Sequence, residues 1–159
     1  SFLKILQNIK INSKWLLAIA LLLSMVGFDA MAAPERPGAY KISGSAGQEI
    51  VADQGSGLEW QKSFETKLNW DQATDHCGSI GLGGKKDWRL PTRKELMTIV
   101  KYRLNNPSSD FPEMPAVYFW SASTSSESKL FAWGINFRNG SLNNYDKAST
   151  QYTRCVRSN

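Results

Sequence analysis

The chain has one histidine and two cysteines, and His76 stands directly before Cys77. An imidazole beside a thiol can generate a thiolate nucleophile. That chemistry needs the two side chains to meet, whereas neighbours on a helix point about 100° apart. Zinc is no better served. A tetrahedral site takes four ligands, and the second cysteine, Cys155, lies far along the chain. In an oxidising compartment an even count of cysteines reads as a bridge, Cys77 to Cys155. Two buried free thiols are the alternative. The expectation is a protein that is not an enzyme, with no catalytic residue, no cofactor and no bound metal.

The other chemistry on offer is recognition. Arg138, Asn139, Asn143, Asn144, Tyr145 and Lys147 crowd into one short stretch. Asparagine amides both donate and accept, tyrosine offers a stacking face, and a guanidinium can fork onto a sulfate or carboxylate. The plainer reading of the same residues is a polar hairpin turning at Asn139-Gly140. Acids near that end are sparse: Asp110, Glu113, Glu127 and Asp146. Calcium would want roughly six to eight oxygen ligands.

These residues need elements to position them. Leu58-Glu59-Trp60-Gln61 alternates apolar and polar, as a half-buried strand does. A first helix is predicted from about Trp70 to Ile80. Asn69 caps it, with Gln72 as capping-box partner, and Trp70, Ala73, Cys77 and Ile80 form its buried face. Gly81, Gly83 and Gly84 end it. Trp88-Arg89-Leu90-Pro91 is extended, since Pro91 turns Leu90 away from helical angles. Thr92 and Glu95 form a second capping box. The helix they open is predicted to reach about Tyr102, burying Leu96, Ile99 and Val100. Asn105 to Pro115 reads as a long surface loop, Val117 to Ser121 as a strand, and Ser121 to Ser128 as a Ser/Thr-rich loop. Phe131 to Phe137 alternates cleanly. Leu142 to Tyr145 would be its return strand, and Tyr152 to Arg157 the last strand. Arg89 and Glu95 are expected as an internal ion pair or cap. Two helices set apart from a mostly antiparallel sheet make an α+β domain.

Before the domain, Lys4, Lys10 and Lys14 precede an apolar run from Trp15 to Phe28, and Ala30-Met31-Ala32 follows. A basic stretch, an apolar stretch and a small-x-small site make the layout of a secretory signal peptide. It is predicted over residues 1–32. The run falls short of the roughly 20 residues a spanning helix needs. A retained inner-membrane anchor over residues 15–28 is the second reading. Either way the cysteines would meet an oxidising compartment: periplasm, cell surface or extracellular space. Residues 33–56 read as a linker with one short strand at about Gln48 to Ala52, and residues 57–159 as the folded domain. With 159 residues and 42% hydrophobic content, one domain with a real core is expected. The net charge of +5 is spread along the chain, so nucleic acid is not an expected partner.

Several segments then resemble one family. Gly57-Leu58-Glu59-Trp60-Gln61 is similar to its "GLxWQ" opening, and Trp70, Ala73 and Cys77 to its "WxxAxxxC" helix. Asp87 to Leu96 resembles its "DWRLPTxxEL" signature, and Phe119 to Ser123 its "YWSSS" strand. Ala132-Trp133, Asn136-Phe137 and Gly140 resemble "AWxVNFxxG", and Arg154 to Arg157 resembles "RCVR". This is the bacterial exported domain family named after the C-terminal domain of the Legionella collagen-like adhesin, Lcl. The resemblance implies a C-type-lectin-like fold and an exported, adhesin-like binding module, with a glycan or protein ligand. It also implies that Trp88, Trp120 and Trp133, which sit in the family signature, lie in the core, and that the late loops and strands, and so the cluster from Arg138 to Lys147, form the exposed binding face. The motifs of calcium-dependent sugar-binding lectins, Glu-Pro-Asn or Gln-Pro-Asp and Trp-Asn-Asp, do not occur, and no Gly-X-Y tract appears in the sequence. The competing function is a membrane-anchored structural or assembly subunit with a partner in an envelope complex or filament.

Overall fold

The computed structural model describes residues 39–159. The leader predicted over residues 1–32 and the start of the predicted linker lie outside them. In chain order the elements are β1 (Tyr40–Ser43), β2 (Ile50–Asp53), β3 (Leu58–Gln61), β4 (Glu65–Leu68), α1 (Trp70–Ser79), α2 (Arg93–Thr98), β5 (Tyr118–Thr124), β6 (Phe131–Asn136), β7 (Ser141–Asp146), β8 (Gln151–Thr153) and β9 (Val156–Ser158). A single 3₁₀ turn, Leu82–Gly84, follows α1. Among the described residues no helix is long and apolar enough to cross a membrane.

The α+β class is as expected, but the strands make two sheets, not one. The first has the order β1-β2-β3-β9 and is antiparallel throughout. The second has the order β4-β8-β5-β6-β7 and is antiparallel except where Phe119 of β5 meets Tyr152 of β8. One apolar cluster joins Val51, Trp60 and Val156 of the first sheet to Phe119 and Ile135 of the second, with Leu96 and Ile99. Another surrounds the sulfurs, with Ala73, Trp88, Leu90, Trp120 and Ala132.

Local signals placed the helices well. Both halves of the α1 capping box form: Gln72 N–H donates to Asn69 Oδ1 at 2.9 Å, and Asn69 N–H to Gln72 Oε1 at 3.0 Å. Ala73 and Cys77 have no exposed surface, while Trp70 and Ile80 flank them, half-buried. The α2 box forms too, but this helix ends at Thr98 rather than near Tyr102. The loop beyond takes the backbone groups another turn would use. Ser109 Oγ donates to the Ile99 carbonyl at 2.5 Å, and Lys101 N–H donates to the Ser108 carbonyl at 2.8 Å.

Four further expectations need correction. The segment read as a linker with one strand holds two, because β1 pairs with β2. β1 escapes notice because it is only four residues long and mostly exposed: Tyr40 packs on Phe111, but Ile42 is 52% exposed, and the backbone ladder to β2 holds the strand. The loop from Asn105 to Pro115 is not confined to the surface, since it buries Phe111 and Met114. β5 runs on to Thr124 through the serines, with an irregular register between Trp120 and Thr124. Ser121 keeps it in the sheet by donating to the Trp133 carbonyl at 2.7 Å. Last, Tyr152 to Arg157 is not one strand. β8 and β9 belong to different sheets, and the chain crosses between them at Arg154 and Cys155.

Cys155 and Cys77 form the disulfide, with Cα atoms 5.3 Å apart. It ties α1 to the crossing point over a sequence separation of 78. The segment before α2 is fastened as firmly. Arg89 and Val156 exchange two backbone hydrogen bonds of 2.9 Å, and Ala122 N–H donates to the Pro91 carbonyl at 2.7 Å. Arg89 forks onto Glu95, Nη1 to Oε2 at 2.8 Å and Nη2 to Oε1 at 2.6 Å. Glu95 Oε2 also accepts Thr92 N–H at 2.8 Å. The fork from Arg89 holds the Glu95 carboxyl below the ordinary glutamate range.

Replacing both Cys77 and Cys155 by alanine should lower stability by on the order of 4 kcal/mol, because a loop this long gains much entropy when opened. Urea unfolding of the variant and the parent measures it. A second outcome concerns acid. A depressed carboxyl pKa gives stability that is present above the unfolded value, about 4.3, and lost as pH falls through the folded value. Glu95→Gln should therefore cost about 1 kcal/mol at neutral pH. The gap to the parent should close as pH falls from about 4.3 through the lower folded value, as urea midpoints taken at descending pH would show.

Candidate functional site

In β6 and β7, Trp133 pairs with Asn144 and Ile135 with Leu142, so these four share one face of the second sheet. α2 packs over the Ile135 end of that face. Beyond the start of the helix the face lies open, and a groove of about 390 Å³ forms there. Thr92, Arg93 and Lys94 make one wall, Ser123, Thr124 and Ser126 the other, and Trp133 lines the groove between them. A smaller hollow of about 160 Å³ lies beside it, bounded by Ser125, Glu127, Ser128, Phe131 and Asn144. Asn144 Nδ2 donates to Ser125 Oγ at 3.3 Å, closing the side of this hollow.

Trp133 is half-buried, not a core residue like Trp88 and Trp120. The Arg93 guanidinium lies over it, 4.8 Å from the ring centroid. The ring's negative face attracts the cation, and the guanidinium N–H groups can still donate. Arg93 is itself located by its backbone N–H, which donates to Ser123 Oγ at 2.9 Å. Among the described residues neither Arg93 nor Lys94 has a carboxylate partner within 4.0 Å. The groove thus presents an aromatic face, two uncompensated cations and a row of hydroxyls. Such a set can stack on an apolar ring face and hydrogen-bond a polyhydroxylated or acidic ligand.

The six residues singled out in the sequence are not gathered in one place. Arg138 and Asn139 form the exposed turn between β6 and β7, where Asn139 Oδ1 accepts Ser141 N–H at 3.0 Å. Gly140 completes that turn at φ 78°, and a Cβ there would lie 2.8 Å from the Tyr102 ring. Asn143 and Tyr145 point to the opposite face from Trp133, because neighbours along a strand alternate. Tyr145 packs edge-on to Tyr118 at 5.2 Å and Trp120 at 6.3 Å, on the side of the disulfide cluster. Burial there, with the Tyr118 hydroxyl beside it, raises its pKa. Asn144 alone of the six lines a hollow on the Trp133 face. Lys147 reaches the rim, donating to Thr124 Oγ1 at 3.1 Å while its ammonium covers Trp70 at 3.8 Å.

The wall residues Arg93, Lys94, Ser123 and Thr124 were missed. In the sequence Arg93 and Lys94 sit inside a capping box, and the two hydroxyl residues inside a loop. The unexplained run of Ser and Thr after Trp120 was the signal that could have found them. His76 lies 3.8 Å from Glu65 Oε1, and Cys77 is spent in the disulfide, so the adjacent pair offers no thiolate. Among the described residues no three His, Cys, Asp or Glu side chains converge as metal ligands would.

The model of the Lcl C-terminal domain matches residues 49–157. No curated protein matches the chain. The matched span begins one residue before β2, runs into β9, and takes in both helices, both cysteines and every wall of the groove. This chain belongs to the Lcl C-terminal domain family.

Proposed function

We propose that this protein is an exported, adhesin-like binding module without enzymatic activity, and that it holds a glycan or protein ligand in the groove over Trp133. The groove is the observation that carries the reading. It combines an indole face, hydroxyls on both sides and two cations that have no carboxylate partner among the described residues. Ligand sites of this kind join apolar surface to a few well-placed polar groups. Membership of the family supports an adhesin-like role. Two helices, two mostly antiparallel sheets and a long-range disulfide support the C-type-lectin-like architecture that is part of the proposal. Export is supported by the order of the leader residues and by the bridged cysteines, since disulfides persist in oxidising compartments.

A second reading rests on the apolar run from Trp15 to Phe28. If it is kept as an inner-membrane anchor, the domain would serve as a subunit of an envelope complex. Intact-mass measurement of the exported protein separates the two. A chain beginning at Ala33 ends the anchored reading, and a membrane fraction retaining residues 1–32 supports it.

Screening on a glycan array and a heparin column at low salt tests the ligand. Retention by at least one glycan class is expected. Trp133→Ala and Arg93→Gln should each weaken it by about tenfold or more, with thermal unfolding unchanged in Arg93→Gln. Arg138→Ala should stay within about twofold of the parent. Loss with Arg138→Ala alone would move the site to the hairpin turn. No retention of any glycan by the folded parent would leave only the protein-ligand form of the proposal.

A further inference from the structure

Past the end of α2 the chain makes a tight turn from Lys101 to Leu104, where Leu104 N–H donates to the Lys101 carbonyl at 2.8 Å. This turn is fastened to the one that joins β6 to β7. Asn106 N–H donates to the Arg138 carbonyl at 2.9 Å, and Ser108 N–H to the Phe137 carbonyl at 2.6 Å. The Tyr102 ring rests on Gly140, where a Cβ would overlap it. Two loop tips therefore stand side by side at one end of the second sheet. Tyr102 is 66% exposed and Leu104 37%. Arg103, Arg138 and Asn139 are exposed with them. A ring held in place yet left open, with a leucine two residues on, forms an apolar spot rimmed by polar groups, and such spots mark interaction surfaces.

The rim is basic. Among the described residues none of Lys101, Arg103 and Arg138 has a carboxylate within 4.0 Å. The acids of the adjoining segments are engaged with other groups. Asp53, which lines a hollow of about 270 Å³ together with Lys101, accepts Gly55 N–H at 2.8 Å and the Ser56 hydroxyl at 2.6 Å. Asp110 accepts the Tyr40 hydroxyl at 3.4 Å. Ala39 lines the same hollow as Lys101, so the chain enters the domain at this end. Ten residues, 29–38, separate Ala39 from Phe28, where the apolar run stops.

We infer that this end of the domain docks on an anionic lipid bilayer. Two adjacent loop tips are convex, and a convex surface suits a broad partner better than a ligand that must be enclosed. Uncompensated cations near an anionic bilayer are drawn to its headgroups. A tyrosine sits well at that depth, with its ring among the apolar parts and its hydroxyl in water. Leu104 adds apolar area that can sink below the headgroups. A soluble polyanion would use the three cations and leave Leu104 without a role. Entry of the chain at the same end agrees with a bilayer there, because an apolar run precedes it. The groove over Trp133 stands at the start of α2 and this surface past its end, so a seated domain leaves the groove open. The docking surface does not depend on the ligand proposed for that groove.

The full chain is mixed with vesicles of phosphatidylcholine alone, or of phosphatidylcholine and phosphatidylglycerol in equal parts, and binding is read by cosedimentation. The apolar run from Trp15 to Phe28 acts alike on both, so the difference between them reports the basic surface. The parent should bind the mixed vesicles more tightly. Arg103→Gln and Arg138→Gln, both at exposed positions, should each remove about fivefold of that preference. Leu104→Ser should weaken binding to the mixed vesicles by a similar factor. Arg138→Gln should leave glycan retention within about twofold, so failure here and failure of the groove reading are distinguishable. Hydrogen–deuterium exchange of the parent needs no variant to fold: the mixed vesicles should slow exchange over residues 101–106 and 138–140. Equal binding to both vesicles, with no slowing over those residues, would overturn the inference. So would slowing there by heparin but not by the mixed vesicles, because the cations would then serve a soluble polyanion.

Discussion

Between β8 and β9 the chain leaves one sheet and enters the other, and it does so in two residues, Arg154 and Cys155, both fully buried. A crossing this short leaves little freedom for the backbone, so its position must be held from outside. Three attachments hold it. The sulfur of Cys155 is bonded to α1 through Cys77. The Cys155 carbonyl accepts Gln61 N–H at 2.9 Å, and its own N–H donates to Gln61 Oε1 at 3.3 Å. The Arg154 guanidinium donates to the carbonyls of Gln61, the last residue of β3, and of Lys62 beyond it. The angle and spacing of the two sheets follow from this knot, and so does the place of β9 beside β3.

α2 depends on it at one remove. Val156, the first residue after the crossing, holds Arg89 by two backbone hydrogen bonds, and Arg89 holds Glu95 by its fork. The start of α2 is therefore pinned to the crossing on one side and to β5, through Ala122 and Ser123, on the other. Arg93 is the first residue of that helix, which is why its guanidinium comes to rest over Trp133. A groove wall on a pinned helix start is preorganised, and for the ligand proposed above this would favour affinity. A long-range knot, a fastened extended segment and the groove over Trp133 thus form one mechanical series.

The polar cluster in the late strands shows how far sequence proximity misleads. Arg138 to Lys147 looks like one site because its residues are adjacent. A strand places them on two faces and at two ends, and the fold then gives each location a different neighbour. Tyr145 faces the disulfide side, Asn144 the groove side, and Arg138 the turn beside Tyr102. The groove instead joins residues from three separate segments, around Arg93, Thr124 and Trp133.

What the sequence determined by itself was whatever rests on nearby residues or on pairing by count. Both capping boxes, the buried face of α1, the Asn139-Gly140 turn and the α+β class were legible, because each is settled within a few residues by backbone hydrogen bonding or by periodicity. The Cys77–Cys155 bond was legible because a chain with two cysteines offers each of them one partner. The tertiary structure alone decided the rest. It split the strands into two sheets, cut α2 short, drew Phe111 and Met114 inside, and opened the face over Trp133. In every such case the deciding contact comes from residues distant in the chain, such as Ser109 on Ile99, Arg154 on Lys62 or Ser123 on Arg93. A local pattern contains no term for these contacts, and they outweigh local preference once the core has closed.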